Sequence, residues 1–237
     1  SGSEIRAAIQ GRDYIFVLTD KAAYVMQFVG PPFTFSVRQV GTNCGCIGHN
    51  AAAFANGRVF WMGDAGGFFL FDGTVKNLSC NVEDYIFDDI NYTSGQIVAA
   101  GVNNLYSEIT WFYPTASSSV IDRYTSYNFA ESPSIAGGVW TTGSLARTGW
   151  IDSDVQPDPY ATEYVTSTNV SDTPLIYGNT EGITKMYAQE KGNNAVDSAG
   201  TSTAIAAYIQ SGDFDLDVDG DGEYIMKIRR FIPDFKV

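Results

Sequence analysis

The chain is poor in the side chains that most catalytic and metal sites require. Its 237 residues include one histidine and three cysteines. It has no Gly-x-Ser-x-Gly elbow, no Walker loop and no dinucleotide fingerprint. A single histidine leaves no choice of histidines for a catalytic triad. It also excludes a histidine-rich metal site. The odd number of cysteines argues against a disulfide framework, so reduced thiols are expected.

Long apolar runs are also missing, and the bases are scattered singly apart from Lys227, Arg229 and Arg230. No run reaches the roughly 18 apolar residues of a membrane span, and no basic-then-apolar start suggests a signal peptide. The net charge is −13, from 27 acids against 14 bases. A surface that reads duplex DNA needs a clustered basic patch, so sequence-specific DNA binding is not expected. An acidic surface would instead suit a protein that borders a passage for nucleic acid, because like charges keep the nucleic acid from binding to it.

Aromatic hairpins are the dominant feature, in a chain that is 44% hydrophobic and 14% aromatic. Residues 59–73 contain two apolar runs, separated by Gly63-Asp64-Ala65-Gly66-Gly67. Glycine supplies the positive φ angles of a tight reversal, so this pattern is typical of a β-hairpin. The runs are nearly continuous rather than alternating, which predicts strands that are buried on both faces.

The same plan recurs at residues 14–28, 108–129 and 175–187. The first two intervals between starts approach the period of about 40 to 50 residues of a four-stranded propeller blade. The third is longer, and residues 139–151 could fill it as an insertion. We therefore predict an all-β fold: a single β-propeller-like domain over residues 1–237, built from repeated aromatic hairpins with one or two short helices. The abrupt termini suggest a fragment of a longer polypeptide.

Helices are predicted at two places. Residues 3–10 have Ser3 as cap and Gly11 as stop, and residues 82–91 place apolar side chains at helical spacing with their acids on a solvated face. Further strands are predicted at residues 33–40 and 96–102. Polar composition predicts surface connections at residues 152–174 and 191–203.

Three thiols and the single imidazole could in principle form a zinc site from Cys44, Cys46, His49 and Cys80. Cys44 and Cys46 are separated by one residue, however, where zinc motifs use two to four. A glycine-rich strand that buries small reduced cysteines explains the same pattern. Both interpretations remain open from the sequence.

Several motifs together resemble a family of phage virion proteins. They are the segment from Ser107 to Pro114 (SEITWFYP), then Asp122-Arg123-Tyr124, Trp140-Thr141-Thr142-Gly143, Leu145-Ala146-Arg147-Thr148 and Trp150-Ile151-Asp152, with Phe60-Trp61-Met62-Gly63 and Ile232-Pro233-Asp234-Phe235. The chain resembles the tail nozzle, or packaged-DNA stabilisation, proteins of short-tailed bacteriophages. The motifs consist of packing residues and contain no active-site pattern.

The resemblance implies a structural, non-enzymatic tail hub component that closes or extends the DNA channel. It implies a β-propeller and assembly with copies of itself into a ring, expected to be a hexamer. Other tail or head-to-tail connector proteins would be its neighbours, and packaged DNA would lie close without specific contact. The expected location is the virion tail, after assembly in the host cytoplasm.

The packing residues of these motifs also have direct structural interpretations. Trp111, Trp140 and Trp150 are expected between sheets, where each indole N–H needs an acceptor. Arg147 lies between predicted strands, with Asp122 and Asp152 as candidate carboxylate partners. An exposed Arg147 is the alternative.

The acidic segment from Asp213 to Glu223 is the candidate metal site. Asp215, Asp217, Asp219 and Asp221 alternate, and Gly220 and Gly222 permit a sharp turn, which imitates the start of a calcium loop. Met226 or Ile228 stands where that loop needs a bidentate Glu. We therefore predict at most weak calcium binding by these four aspartates, and a solvated hairpin turn otherwise.

No catalytic or cofactor-binding residue is predicted. The alternative function is a propeller glycoside hydrolase or a carbohydrate-binding module. Such a hydrolase needs only two carboxylates and aromatic sugar platforms. Both are plentiful in the sequence, but no spacing identifies the pair.

Overall fold

The computed structural model describes residues 4–152, 155–165, 183–192, 194–196 and 201–205. The protein is all-β in these residues, apart from one short α-helix and two 3₁₀ segments, as the sequence predicts. Two compact units are distinguished, residues 1–192 and 193–237. In the second unit, the described strands β16 (Asn194–Val196) and β17 (Ser202–Ala204) form an antiparallel pair.

The described residues of the first unit form four antiparallel sheets, each a meander in which neighbouring strands in sequence are neighbours in space. Sheet 1 has β1 (Ile5–Gln10), β2 (Ile15–Thr19), β3 (Ala22–Gly30) and β4 (Thr34–Thr42). Sheet 2 has β5 (Ala52–Ala55), β6 (Arg58–Met62), β7 (Phe68–Phe71) and β8 (Val75–Leu78). Sheet 3 has β9 (Ala99–Asn103), β10 (Glu108–Tyr113), β11 (Arg123–Asn128) and β12 (Trp140–Gly143). Sheet 4 has β13 (Gly149–Ile151), β14 (Tyr160–Val165) and β15 (Ile183–Ala188).

Three of the four predicted hairpins are confirmed, as β2–β3, β6–β7 and β10–β11. In the β6–β7 hairpin, Val59, Phe60, Trp61 and Met62 are all fully buried, which accounts for their continuous apolar run. Gly66 and Gly67 adopt positive φ angles in its connection, as a tight reversal requires. Of the fourth predicted hairpin, residues 175–177 lie outside the described residues, and β15 pairs with β14.

The predicted helix over residues 3–10 is wrong, because this segment forms β1. Ala8 and Ile9 pair with Val17 and Phe16 of β2, so sheet formation overrides the local capping pattern. Gly11 is a turn residue rather than a helix stop. Its N–H donates to the carbonyl of Tyr14 at 2.9 Å.

Other boundaries also shift. The predicted helix over residues 82–91 shortens to α1 (Glu83–Phe87). The strand predicted at 96–102 is confirmed as β9, but it begins later, at Ala99, because a 3₁₀ segment (Tyr92–Ile97) precedes it. The strand predicted at 33–40 is confirmed as β4. The surface connections predicted at 152–174 and 191–203 contain β14, β16 and the start of β17. Residues 139–151 supply strands to two sheets, β12 and β13, rather than an insertion.

The four sheets follow one another so that their first strands touch. β1 contacts β5, β5 contacts β9, and β9 contacts β13. At the middle contact, the N–H of Ala100 donates to the carbonyl of Asn50 at 2.7 Å. None of the helices in the described ranges is long and apolar enough to cross a membrane.

Tryptophans connect each sheet to the one before it. The indole N–H of Trp61 donates to the carbonyl of Cys44 at 2.9 Å, and that of Trp150 to the carbonyl of Val102 at 2.8 Å. Trp111 and Trp140 of sheet 3 donate to Ala51 and Ser79 beside sheet 2, at 3.0 Å each. The expectation that Trp111, Trp140 and Trp150 find acceptors between sheets is confirmed.

Candidate functional site

The junction between sheets 3 and 4 differs from the other sheet contacts in its polarity. Along β10, Ile109, Trp111 and Tyr113 belong to the large core cluster. Because side chains alternate along a strand, Glu108 and Phe112 lie on the opposite face. There Phe112 stacks against Trp150 of sheet 4, with ring centroids 5.9 Å apart. The apolar contact therefore covers one end of this face and leaves the Glu108 end polar.

The strand register assembles a polar row at that end. Glu108 pairs with Asn103 of β9 on one side and with Asn128 of β11 on the other. Directly paired residues of antiparallel strands carry side chains on the same face, about 5 Å apart at their Cβ atoms. Asn103 and Glu108 are therefore neighbours, although each lies at the end of its own strand.

Glu190 joins this row from the end of sheet 4. The side chain of Asn103 donates from Nδ2 to Oε1 of Glu190 at 3.0 Å. The chain on either side of Glu190 is held in place, because Gln189 N–H donates to the carbonyl of Pro159 and Lys191 pairs with Asp158 at 2.9 Å. We refer to Asn103, Glu108 and Glu190 as the acidic cluster.

One atom of the acidic cluster lacks a partner. Asn103 is only 3% exposed, and its Oδ1 is buried with no hydrogen bond to any described residue. Most buried polar side-chain atoms in proteins do have a partner. The unmet acceptor belongs to the same amide group that holds Glu190.

Among the described residues, neither Glu108 nor Glu190 forms a salt bridge. Burial raises the pKa of Glu108, and the negative charge of Glu190 raises it further. Burial also raises the pKa of Glu190, against the opposing effect of the Asn103 hydrogen bond. The pKa of Tyr124 is raised by burial and then by both carboxylates. A proton or a cation would therefore be favoured at this position.

Arg147 lies in the connection between β12 and β13 and pairs with an acid outside the acidic cluster. Its Nη1 is 3.1 Å from Oε2 of Glu163, and its guanidinium lies 4.7 Å from the ring centre of Tyr187. Burial lowers the pKa of Arg147, and Glu163 opposes that shift. The expected buried ion pair thus exists, but the expected partners were wrong, because the β13–β14 pairing brings Glu163 beside Arg147.

The two aspartates that the sequence offered to Arg147 have other contacts. Asp122 accepts from the N–H and the hydroxyl of Thr115, both at 2.8 Å. Asp152 accepts from the N–H of Asn104 at 2.7 Å. Both carboxylates therefore fix loops next to sheet 3.

The candidate zinc ligands also have separate roles. Cys46 is buried, its thiol donates to the carbonyl of Gly48 at 3.2 Å, and burial raises its pKa to about 12. Burial likewise raises the pKa of Cys80 to about 12, whereas zinc requires thiolates. The ring Nδ1 of His49 is 2.8 Å from the carbonyl of Arg6. Cys44 is buried as well, and within the described part of the chain no three His, Cys, Asp or Glu side chains are grouped as a metal site.

The predicted calcium ligands Asp215, Asp217, Asp219 and Asp221 lie outside the described residues. Weak calcium binding by them stays a prediction. A separate cavity of about 610 Å³ lies at the turns of sheets 1 and 2, lined by Gln10, Gly11, Arg12, Tyr14, Phe54 and Gly57. This lining contains no carboxylate for acid–base chemistry.

A second surface feature is the end of the β3–β4 hairpin. β2 pairs with β3 only as far as Ile15–Met26, whereas β3 and β4 continue together to Gly30–Thr34. Residues 27–37 thus project as a two-stranded segment, which we call the apolar ribbon. Phe28, Phe35 and Val37 share one face of it and are 69%, 53% and 64% exposed.

A scan against protein families finds no match, and a search of the curated proteins finds none either.

Proposed function

We propose that this protein is a structural subunit of a phage tail, a nozzle or hub component that assembles into a ring around the DNA channel. The observation that carries the proposal is the apolar ribbon, which exposes Phe28, Phe35 and Val37 on one face of a protein with a net charge of −13. The resemblance of the sequence motifs to tail nozzle and packaged-DNA stabilisation proteins supports the same conclusion. The function is mechanical and non-enzymatic.

We further propose that the four sheets are successive blades of a β-propeller. Two observations support this arrangement: each sheet is a meander, and the first strands of consecutive sheets touch one after another. In a propeller, the first strands of the blades surround the central axis. The tryptophan hydrogen bonds would then be the repeated contacts between blades.

The occupant of the apolar ribbon is a second copy of the chain. A two-stranded hairpin is marginally stable alone, and full burial of each exposed apolar side chain would contribute roughly 1.5 to 3 kcal/mol. The edge strand β4 carries Arg38 and no acid, whereas the whole chain has a net charge of −13. The net negative charge of another copy would therefore attract the positively charged edge that β4 forms.

The decisive experiment measures assembly of the full-length protein by light scattering and electron microscopy. Phe28→Ser/Phe35→Ser is expected to convert the ring into monomers. Leu105→Ser/Val155→Ser is the matched control, because it removes two apolar side chains that are also exposed, and it should keep the ring. A wild-type protein that stays monomeric, or a ribbon variant that still forms rings, would contradict the proposal. Absence of the protein from purified particles would contradict the tail assignment.

A glycoside hydrolase is the second candidate, and the two carboxylates of the acidic cluster, Glu108 and Glu190, are the residues that would serve it. Glu108 has a raised pKa beside Glu190, as a general acid next to a second carboxylate requires. Incubation with a panel of glycans, followed by product analysis, tests this candidate. Cleavage that is lost in both Glu108→Gln and Glu190→Gln would favour the hydrolase over the structural role.

A further inference from the structure

The acidic cluster has the composition of a cation site rather than of a simple polar contact. We propose that Asn103, Glu108 and Glu190 bind a hard divalent cation, with Ca²⁺ as the best fit, which joins the end of β10 to the segment after β15. This inference goes beyond the proposed function, because it concerns the cohesion of one subunit.

The unpartnered oxygen of Asn103 is the first argument. A buried acceptor without a partner costs about 1 to 3 kcal/mol. Asn103 is only 3% exposed, and its Nδ2 already donates a hydrogen bond to Glu190. The amide cannot turn its Oδ1 away without losing that bond. A cation beside Glu190 satisfies the oxygen without disturbing the amide.

Strand register supplies the second argument. Glu108 is paired directly with Asn103, and both lie on the face that meets sheet 4. The cluster therefore gathers oxygen atoms from two carboxylates and one amide. β9, β10 and the segment after β15 each contribute one of the three side chains.

Charge is the third argument. The cluster brings together two side chains that are both acids, and like charges at one site repel each other. Among the described cations, Arg147 is paired with Glu163 and Lys191 is paired with Asp158. A bound cation would relieve the repulsion that these side chains leave uncompensated.

The ligand types select the metal. All donors in the cluster are oxygen atoms, which suit Ca²⁺ and Mg²⁺, whereas zinc prefers nitrogen and sulfur. Ca²⁺ accepts irregular geometry and completes its shell of about 6 to 8 oxygens with water and backbone carbonyls. Mg²⁺ requires a near-ideal octahedron. Three side chains on separate elements fit the tolerance of Ca²⁺ better.

Calorimetry with CaCl₂ on the full chain tests the site, with near-UV circular dichroism to establish that each variant is folded. Glu108→Gln/Glu190→Gln should reduce Ca²⁺ affinity at least tenfold and abolish the rise in melting temperature that Ca²⁺ produces. The matched control is Asp217→Asn/Asp219→Asn, which neutralises two acids of the separate acidic segment and should leave this site intact. Asn103→Asp should bind Ca²⁺ more tightly, because it adds a charge to a ligand.

Two outcomes overturn the inference. One is the absence of heat at millimolar CaCl₂ with wild type. The other is calcium binding that survives Glu108→Gln/Glu190→Gln and disappears in Asp217→Asn/Asp219→Asn, which would move the site to the acidic segment. Either result leaves the ring proposal intact, because ring formation depends on the apolar ribbon.

Discussion

Gly101 permits the closest approach between sheets 3 and 4. A Cβ atom added there would lie 2.5 Å from Cγ and 2.7 Å from Cβ of Trp150. Neither atom can move without displacing the whole indole, which is also held by its bond to Val102. The packing of Trp150 therefore requires a residue without a Cβ atom at position 101. Turn geometry does not, because Gly101 lies within strand β9.

Gly101→Ala is expected to lower the free energy of unfolding by about 1 to 3 kcal/mol, the usual cost of overpacking. Urea denaturation followed by tryptophan fluorescence measures the loss. Gly149→Ala in the same junction is the control, since its added Cβ would meet only the hydroxyl of Thr162, at 3.0 Å, and should cost less. Equal stability of wild type and Gly101→Ala would show that Trp150 can shift freely.

Glu108 should make stability depend on pH in a defined direction. Its pKa is raised in the folded protein above the ordinary value of 4.5. Below that value Glu108 is protonated both folded and unfolded, so it contributes no difference. As pH rises above it, the unfolded state ionises first, and the folded state is progressively disfavoured.

In the presence of a chelator, Glu108→Gln should therefore be more stable than wild type at pH 7. The two proteins should converge near pH 4, where neither carries a charge at position 108. Denaturant midpoints measured across this pH range are the readout. Parallel curves with no convergence at acidic pH would contradict the raised pKa.

At the scale of elements, the sequence predicted the parts that depend on local pattern. The β6–β7 hairpin was predictable because its apolar runs and its glycines lie within one short stretch. β1 was not, because a cap at Ser3 and a stop at Gly11 give the local pattern of a helix, and only pairing with β2 decides otherwise. The polar composition of residues 152–174 likewise concealed β14.

The acidic cluster could not be predicted for a related reason. Asn103 and Glu190 are 87 positions apart, and Glu108 belongs to a motif that otherwise contains packing residues. No spacing within the sequence connects them. Their proximity follows from the register of β9 with β10 and from the position of the end of β15, which are tertiary properties.

The tryptophan contacts between sheets support a prediction at this scale. Trp111→Phe removes the indole bond to Ala51 and leaves a buried carbonyl and a small void, so a loss of about 2 to 4 kcal/mol is expected. Trp140→Phe is a matched control, with the same type of bond to Ser79 at 3.0 Å but a less buried ring. Calorimetric or urea unfolding should show the smaller loss there. A larger loss in Trp140→Phe would contradict the importance of the Trp111 contact.

At the scale of the first unit, the sheets are unequally joined. Among the described residues, one large core cluster draws its members from sheets 1 to 3 and the segments between them, whereas sheet 4 joins through a smaller cluster around Phe112 and Trp150. Parts of a protein that are held by few buried apolar contacts unfold locally at the lowest free-energy cost. Amides of β14 are therefore expected to exchange with deuterium faster than those of β6, as mass spectrometry of peptic fragments can show. Equal protection would indicate that sheet 4 opens only with the whole unit.

The charge of the whole molecule predicts how it would behave in the presence of DNA. With 27 acids against 14 bases, the chain repels the phosphate backbone, and this repulsion suits a wall beside a passage for DNA. We expect no retained complex with duplex or single-stranded DNA at about 0.15 M salt, even at protein concentrations near 10⁻⁴ M, where basic proteins bind non-specifically. A gel-shift assay with a basic DNA-binding protein as positive control measures this. A complex whose affinity falls steeply with added salt would instead reveal a clustered basic surface, and would require the protein to grip the DNA rather than let it pass.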